Sequence, residues 1–138
     1  MVLSICFPYQ KAGAQFIIGV KGEAVYPDRG YPVGIAVTVG RQMKMSMIEA
    51  GLGYGINHRM HFDLSLLSRI YGNGNHSFNI YLGAGAMGAV IGFYPVIQAE
   101  GFLMDRISLY ADIRTPFYPM MEREKFEVRY ALGLRYLL

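Results

Sequence analysis

Apolar and polar residues alternate along most of the chain with a period of two, the pattern of β-strands that present two different faces. The alternation is clearest over residues 126–136, near the end of the sequence. One face of this segment carries Phe126, Val128, Tyr130, Leu132, Leu134 and Tyr136, and the other carries Glu127, Arg129, Ala131, Gly133 and Arg135. The pattern predicts a long strand with one apolar and one polar face.

Other segments repeat this pattern, most clearly residues 78–86 and 107–114, and also residues 16–26, 33–40 and 62–69. In the third segment, Ile48, Leu52 and Tyr54 lie opposite Glu49 and the glycines that follow it. The methionines at positions 43, 45 and 47 have the opposite parity. A β-bulge near position 47 would reconcile the two halves, so we expect one there.

Breaks rich in proline, glycine, asparagine and aspartate separate the segments. They lie at residues 27–30, 40–42, 57–59, 72–75, 93–95, 105–106 and 115–124. These breaks leave about eight strand-length segments at even spacing, with little room for helices. The sequence therefore predicts an all-β fold, an antiparallel up-and-down barrel.

Composition indicates where such a barrel resides. In a chain of 138 residues, 53% are hydrophobic, only 17% are charged, and the mean hydropathy is +0.24. A soluble domain this small would have difficulty burying so much apolar surface. No apolar run reaches the roughly 18 residues that a membrane-spanning helix needs. Strands with a lipid-facing side account for both observations.

The polar faces carry acidic and basic residues in near balance, interleaved with glycine, alanine and serine. The ionic residues, joined by Gln98, are Lys21, Glu23, Glu49, Asp63, Arg69, Glu100, Asp112, Arg114, Glu127, Arg129 and Arg135. Balanced charges can pair in a closed interior, which offsets much of their desolvation cost. Aromatic residues lie at or near the segment ends, as in interfacial girdles: Tyr26, Tyr31, Tyr71, Phe93, Tyr94, Phe117, Tyr118 and Tyr136. We predict a transmembrane β-barrel of a bacterial outer membrane, with these residues forming a lumen polar network.

Two alternatives remain open. Alternation alone also fits a soluble, lipocalin-like barrel that turns its apolar face inward around a lipid or another apolar ligand. A membrane-embedded enzyme acting on lipids is the other, with His61, Asp63 and Ser65 as the local polar cluster at a barrel rim.

Motifs of catalysis are not found in the sequence. There is no nucleophile elbow, phosphate loop or metal-ligand spacing, and the three histidines fall in or beside predicted breaks. The glycine-rich stretch 83–88 lies inside a strand pattern, which favours tight lumen packing. Asp112 and Glu127 each have an arginine on the same face, which favours salt bridges over acid-base catalysis. We predict no enzyme activity, no cofactor and no metal.

Basic residues exceed acidic ones by three but are scattered, so we expect no direct nucleic-acid binding, and no small-molecule substrate is identified. Residues 1–14 end in a small-x-small pattern and are a candidate signal-peptide remnant, leaving 15–138 as a single barrel domain. The longest break, which we expect outside the cell with those near Asp28, His58 and Tyr94, is a candidate partner loop. Its candidate contact residues are Phe117, Tyr118, Met120, Met121 and Arg123.

Four stretches carry a family resemblance. The first is residues 34–36 together with 49–50, and the second is Phe78 together with residues 82–86. The third is residues 103–106, which precede the segment 107–114, and the fourth is residues 130–134 near the end of the sequence. With these the chain resembles the conjugal transfer protein TraO family, small exported proteins of Bacteroidetes conjugative transposons. The resemblance implies a non-catalytic, structural or docking role in a DNA-transfer apparatus. The expected partners are then outer-membrane lipid and other envelope or transfer-apparatus proteins.

Overall fold

A computed structural model describes residues 15–26, 33–55, 60–73, 78–88, 92–119 and 127–138. They form a closed barrel in which each strand pairs antiparallel with the next and the last pairs with the first. The strands are β1 (Gln15–Tyr26), β2 (Val33–Gln42), β3 (Ser46–Tyr54), β4 (Met60–Tyr71), β5 (Asn79–Met87), β6 (Gly92–Met104), β7 (Ile107–Arg114) and β8 (Val128–Leu137). The predicted fold, an eight-stranded antiparallel barrel, is confirmed. Within these ranges no helix is long and apolar enough to cross a membrane.

The apolar faces of the strands point outward and the polar faces point inward. On β8, Leu132 and Leu134 expose 59% and 44% of their surface, whereas Arg135 exposes 1%. The same division holds on the other strands, as the alternation predicts. The soluble carrier alternative is therefore wrong, because it requires the apolar face to line the interior.

The barrel has two distinct ends. The first and last described residues, Gln15 and Leu138, lie with the connections that follow β2, β4 and β6, and we call this the termini end. The connections that follow β1, β3, β5 and β7 form the opposite, loop end. At the termini end, Gly72 after β4 has a φ of 100°, a backbone conformation that favours glycine. Strand β4 ends just before the break that was predicted at this position.

The predicted bulge near Met47 is wrong, and so is the break at 40–42. Strand β2 continues through Gln42, and its register with β3 runs without a shift to the pair Gln42↔Met47. Met47 is fully buried because its side chain enters the lumen. Its parity therefore fits the strand, and the chain turns at residues 43–45 instead. The register shifts lie elsewhere, between Arg69 and Tyr71 and between Phe102 and Met104.

The break predicted at 93–95 is also wrong, because β6 begins at Gly92 and passes through Pro95. The backbone N–H of Thr115 donates to the Pro95 carbonyl at 3.4 Å. Thr115 lies just beyond the end of β7. The hydrogen bond that Pro95 cannot donate is therefore lost only at the end of the β6–β7 pairing. Proline is tolerated in this strand for that reason.

Candidate functional site

The lumen is the part of the barrel where chemistry-bearing side chains meet. Most of the predicted lumen residues are almost fully buried there, each exposing 5% of its surface or less. These are Lys21, Glu23, Glu49, Asp63, Glu100, Asp112, Arg114 and Arg135. Arg69, Glu127 and Arg129 are only half-buried and lie near the two ends of the barrel. The buried residues fall into two groups, one around Arg135 and one around Asp63.

The first group surrounds the guanidinium of Arg135. Its Nε donates to Glu49 Oε2 at 2.8 Å and its Nη1 donates to Glu100 Oε2 at 3.1 Å. Its Nη2 donates to Gln98 Oε1 at 3.0 Å, and its Cζ lies 3.7 Å from the centre of the Tyr110 ring. We call the following residues the Arg135 cluster: Glu49, Gln98, Glu100, Ser108, Tyr110 and Arg135.

The Arg135 cluster joins β3 to the three consecutive strands β6, β7 and β8. Arg135 lies on β8, Glu49 on β3, Glu100 on β6 and Tyr110 on β7. Because charge-assisted bonds to a planar guanidinium need fixed geometry, they hold the barrel wall at one spacing across the lumen. Ser108 Oγ adds a bond to Glu100 Oε2 at 3.0 Å. The cluster works as a cross-brace.

The second group lies nearer the loop end. Lys21 Nζ is 3.2 Å from Glu23 Oε1 and 3.7 Å from Asp63 Oδ2. Arg114 Nη1 is 3.1 Å from the same Asp63 oxygen, and its Nε donates to Asp112 Oδ1 at 2.9 Å. We call the following residues the Asp63 cluster: Lys21, Glu23, His61, Asp63, Tyr94, Asp112 and Arg114.

Aromatic rings complete the Asp63 cluster. His61 Nε2 lies 2.8 Å from Glu23 Oε2, and the hydroxyl of Tyr94 donates to Asp63 Oδ1 at 3.4 Å. The Arg114 guanidinium lies 5.0 Å from the centre of the Tyr94 ring. In both clusters, therefore, an arginine binds carboxylates and packs against a tyrosine. The pairing of Arg114 with Asp112 is the salt bridge that the sequence suggested.

One trio in this cluster has donor atoms of the kind that bind metals. Oxygen or nitrogen atoms of Glu23, His61 and Asp63 all lie within 4.8 Å of one another. Sequence spacing did not indicate this, because Glu23 lies on β1 and the other two on β4 across the lumen. The ammonium of Lys21 contacts both carboxylates and supplies their counter-charge. The geometry is that of an ion-pair network.

The lipid-enzyme hypothesis placed His61, Asp63 and Ser65 at a barrel rim, and that placement is wrong. All three face inward on β4 and expose 8% of their surface or less. Ser65 Oγ donates to the backbone carbonyl of Glu49 at 3.4 Å, while His61 contacts Glu23. A serine and histidine pair for nucleophilic catalysis is not formed by these residues.

Inward-facing glycines make room for the large lumen side chains. A Cβ at Gly85 would clash with the ring and hydroxyl of Tyr94, and a Cβ at Gly133 would lie 2.7 Å from Tyr110 Cε1. The glycine-rich stretch 83–88 therefore serves tight lumen packing, as the sequence suggested. At Gly85 and Gly133 the missing side chain therefore makes room for a tyrosine ring from the neighbouring strand.

Apolar side chains close the lumen at the termini end. Ile17 pairs with Leu137 across β1 and β8, and Met47 pairs with Leu67 across β3 and β4. All four expose 2% of their surface or less, and we call them the apolar plug. Next to it, Gln42 Nε2 donates to the hydroxyl of the buried Tyr81 at 3.1 Å.

At the loop end, Tyr118 turns into the mouth of the barrel. Arg129 Nη2 donates to its hydroxyl at 3.2 Å, and Arg129 Nε lies 2.5 Å from Glu127 Oε1. The Tyr118 hydroxyl also lies 3.5 Å from the sulfur of Met87. Burial raises the pKa of the Tyr118 phenol. Of the two candidate contact residues that the structure describes, Phe117 is 58% exposed and Tyr118 is half-buried, whereas Met120, Met121 and Arg123 lie outside the described residues.

Some lumen residues were missing from the predicted network. They are Thr38, Gln42, His61, Ser65, Asn79, Tyr81, Tyr94, Ser108 and Tyr110. For Tyr81 and Tyr110 the alternation already indicated an inward position, but an uncharged phenol did not mark them as network members. Tyr94 was missed because Pro95 suggested a break, so it was assigned to the outer aromatic girdle. Tyr118 was misassigned to that girdle too.

Exposed aromatic side chains follow the outer ends of the strands. Tyr26, Tyr71, Phe93, Phe117 and Tyr136 each expose between 41% and 63% of their surface. The predicted girdle is present for these residues, whereas Tyr31 lies outside the described residues. Phe93 and Phe117 are joined by a β-bridge beyond the end of β7.

An apolar outer wall, aromatic strand ends and a charged, filled interior define the fold of the small outer-membrane β-barrels. The chain is similar to the N-terminal β-barrel domain of Pseudomonas aeruginosa OprF, with a TM-score of 0.69, 13% identity, and coverage of 90% of this chain and 97% of that one. A designed transmembrane β-barrel gives a TM-score of 0.64 at 12% identity, with coverage of 90% and 95%. Neisserial surface protein A gives 0.52 at 8% identity, with coverage of 90% and 96%.

At these identities the similarity concerns the fold alone. No protein-family model matches the sequence, and no curated protein is similar to it. The resemblance to the TraO family therefore has no support beyond the stretches that suggested it.

Proposed function

We propose that this protein resides in a bacterial outer membrane as a small β-barrel with a structural or docking role and no catalysis. The observation that carries the proposal is the division of the two faces. Large apolar side chains, such as Phe62 and Leu132, are 59% to 60% exposed on the outer wall, while Arg135 and Lys21 are 1% exposed inside. Only a lipid surrounding makes that division favourable, since water would contact the apolar wall.

The filled lumen supports a non-catalytic role. Catalysis needs a reacting molecule beside the charged groups, and transport needs a passage. Here the side chains of Arg135, Tyr81 and Tyr110 fill the lumen, and each of these residues exposes only 1% of its surface. The charged groups bind one another across the barrel. Their role is to stabilise the barrel.

Participation in conjugative DNA transfer is the more specific part of the proposal. It rests on the TraO resemblance, which includes the stretch 82–86 on β5 and the stretch 130–134 on β8. In that role the barrel anchors other envelope or transfer-apparatus proteins at the membrane. Phe117, exposed at the loop end, is a residue that such a partner would contact.

Membrane residence is tested by fractionation together with gel mobility. We expect the protein to sediment with outer membranes, to require detergent for extraction, and to migrate differently on a gel before and after boiling. The Leu132→Arg variant should yield less of the boiling-sensitive form than the wild type, while Leu132→Phe should yield a similar amount. A protein that stays soluble without detergent would overturn the proposed location.

The role in transfer is tested in a host that carries the gene. Deletion should lower the frequency of DNA transfer between cells, and wild-type protein supplied separately should restore it. When the Phe117→Ala variant is supplied to the deletion strain, it should insert into the membrane like the wild type. It should restore a lower transfer frequency than the wild type does, because the loop end has lost a partner contact. An unchanged transfer frequency in the deletion strain would end the conjugative proposal and leave the membrane location intact.

A further inference from the structure

Basic side chains gather at the termini end of the barrel. Among the described residues of this end, outside the lumen clusters, four are basic and one is acidic: Arg41, Lys44, Arg69, Arg106 and Asp105. Three of the basic residues lie close together on one side. Arg41 is near the end of β2, Lys44 is in the turn that follows, and Arg69 is near the end of β4.

Arg41 projects from the outer wall, where apolar residues surround it. Its guanidinium carbon lies 5.7 Å from the centre of the Phe16 ring, and Phe16 itself is 51% exposed. On β3 the residue opposite Arg41 is Ile48, which is 43% exposed. A charged group on a lipid-facing wall is favourable only at headgroup depth, with its stem along apolar surface. The position of Arg41 therefore marks the membrane boundary at this end.

Lys44 is held beside that boundary by Arg69. The Arg69 guanidinium donates to the backbone carbonyl of Lys44 and also lies 3.6 Å from the sulfur of Met45. Lys44 is exposed and Met45 is 57% exposed. The turn thus presents one ammonium to the outside, with a second positive charge directly behind it. Arg41, Lys44 and Arg69 form what we call the basic patch.

The outer wall next to the basic patch has a groove. It has a volume of about 680 Å³ and is lined by Leu66, Ser68, Ile70, Leu82, Gly83, Ala84 and Gly85. Ser68 in this groove pairs across β3 with Ser46, two residues after Lys44. Gly83, Ala84 and Gly85 of β5 have small or no side chains, which creates the depression on the outer surface. An acyl chain in this groove would have its headgroup close to the basic patch.

We propose that the basic patch binds the phosphate of anionic phospholipids in the leaflet at the termini end, with an acyl chain in the neighbouring groove. This inference rests on the proposed membrane location and makes it more specific. An anionic headgroup complements three positive charges, and its glycerol and acyl parts complement Phe16, Ile48 and the groove. Each basic side chain at a membrane surface favours an anionic lipid by roughly fivefold at low salt, so removal of two charges should be readily measured.

The test uses full-length protein in bilayers of phosphatidylcholine that contain spin-labelled phosphatidylglycerol or spin-labelled phosphatidylcholine. Electron paramagnetic resonance measures the fraction of each labelled lipid whose motion the protein restricts. We expect phosphatidylglycerol to be restricted several-fold more than phosphatidylcholine, with the preference weakening as salt is raised. The double variant Arg41→Gln with Lys44→Gln leaves only the charge of Arg69 in the basic patch and should lower the preference several-fold. The charge-conserving control, Arg41→Lys with Lys44→Arg, should retain it.

The outcomes separate this inference from the proposed location. Equal restriction of both lipids by wild-type protein, or a preference that the loss of both charges leaves unchanged, would overturn the basic patch as a binding site. A restricted component would still be present in that case, because lipid surrounds the barrel. If neither lipid is restricted, the barrel is not embedded, and the proposed location fails as well. An Ala84→Phe variant that filled the groove without lowering the preference would overturn the acyl-chain part.

Discussion

Arg135 and Tyr110 face each other inside the barrel, with the guanidinium carbon 3.7 Å from the centre of the phenol ring. The ring covers one side of the guanidinium, and the carboxylates of Glu49 and Glu100 bind its edge. The arginine is therefore shielded from water while its charge is balanced by bonded oxygens. Its loss would leave two carboxylates buried without their cation.

We expect Arg135→Met to be the most destabilising single change in the lumen. Removing one partner of a buried ion pair costs about 3–5 kcal/mol, because the remaining charges stay desolvated. Arg135→Lys should cost less, since an ammonium keeps the charge but cannot bind both carboxylates and Gln98 at once. Urea unfolding in detergent micelles, followed by the boiling-sensitive gel shift, measures the free energy of unfolding.

A triple variant distinguishes unpaired charge from simple loss of packing. Arg135→Met combined with Glu49→Gln and Glu100→Gln removes the charges that the single variant leaves unbalanced. It should recover a substantial part of the stability that Arg135→Met loses. If the single variant unfolds at the same urea concentration as the wild type, the Arg135 cluster does not brace the barrel.

The second prediction concerns Gly85, which lies under the ring of Tyr94. We expect Gly85→Leu to destabilise the barrel by about 1–3 kcal/mol or more, because the added side chain overlaps the ring. Combining it with Tyr94→Ala should restore part of the loss. Ala84→Leu is the matched control, since its side chain points outward and should be accommodated by lipid. Equal effects of Gly85→Leu and Ala84→Leu would contradict the assignment of the two faces.

Alternation, with the breaks between segments, was sufficient to predict the number of strands, their antiparallel order and which residues share a face, while composition was needed to decide which face is outside. Alternation also located most of the charged lumen residues, because a charged residue on the polar face of a strand points into the lumen. It could not identify which residues bind one another. Glu49 contacts Arg135 across 86 positions of sequence, a pairing that depends on barrel closure and stagger.

The errors have local causes. Pro95 usually signals a break, but here its missing N–H falls where β7 has already ended. Met47 looked out of register because a methionine on the inward face contradicts a polar lumen. The apolar plug explains it: the lumen ends in apolar residues. Residues 1–14, with the candidate signal-peptide remnant, lie outside the described residues, and this expectation stays a prediction.

The third prediction concerns the outer wall. Leu132 pairs with Gly22 and Ala111, near the middle of their strands, and is 59% exposed. Leu132→Arg should lower the free energy of unfolding in a bilayer by about 2–4 kcal/mol, because a charge is placed at mid-membrane. Leu132→Phe should change it little. The measurement is denaturant unfolding of protein inserted in phosphatidylcholine vesicles. If the arginine variant inserts and unfolds like the wild type, lipid does not contact this face.

The last prediction concerns conductance. An ion entering from the termini end meets the apolar plug first, in which Ile17, Met47, Leu67 and Leu137 are all buried. Beyond it lies the Arg135 cluster, with charged groups that already bind one another. A hydrated ion cannot pass unless several of these contacts open together. In planar bilayers we therefore expect no stable, large conductance steps from the wild-type protein.

Replacement of the plug tests which layer closes the lumen. Met47→Ser with Leu67→Ser removes apolar bulk but leaves the Arg135 cluster in place, so the barrel should stay closed to large currents. Adding Arg135→Ala to these changes removes the cross-brace and should produce small conductance steps, provided the gel shift shows a folded barrel. Large, stable steps in the wild-type protein would mean that the side chains do not fill the lumen, and the argument for a structural role would fail with them.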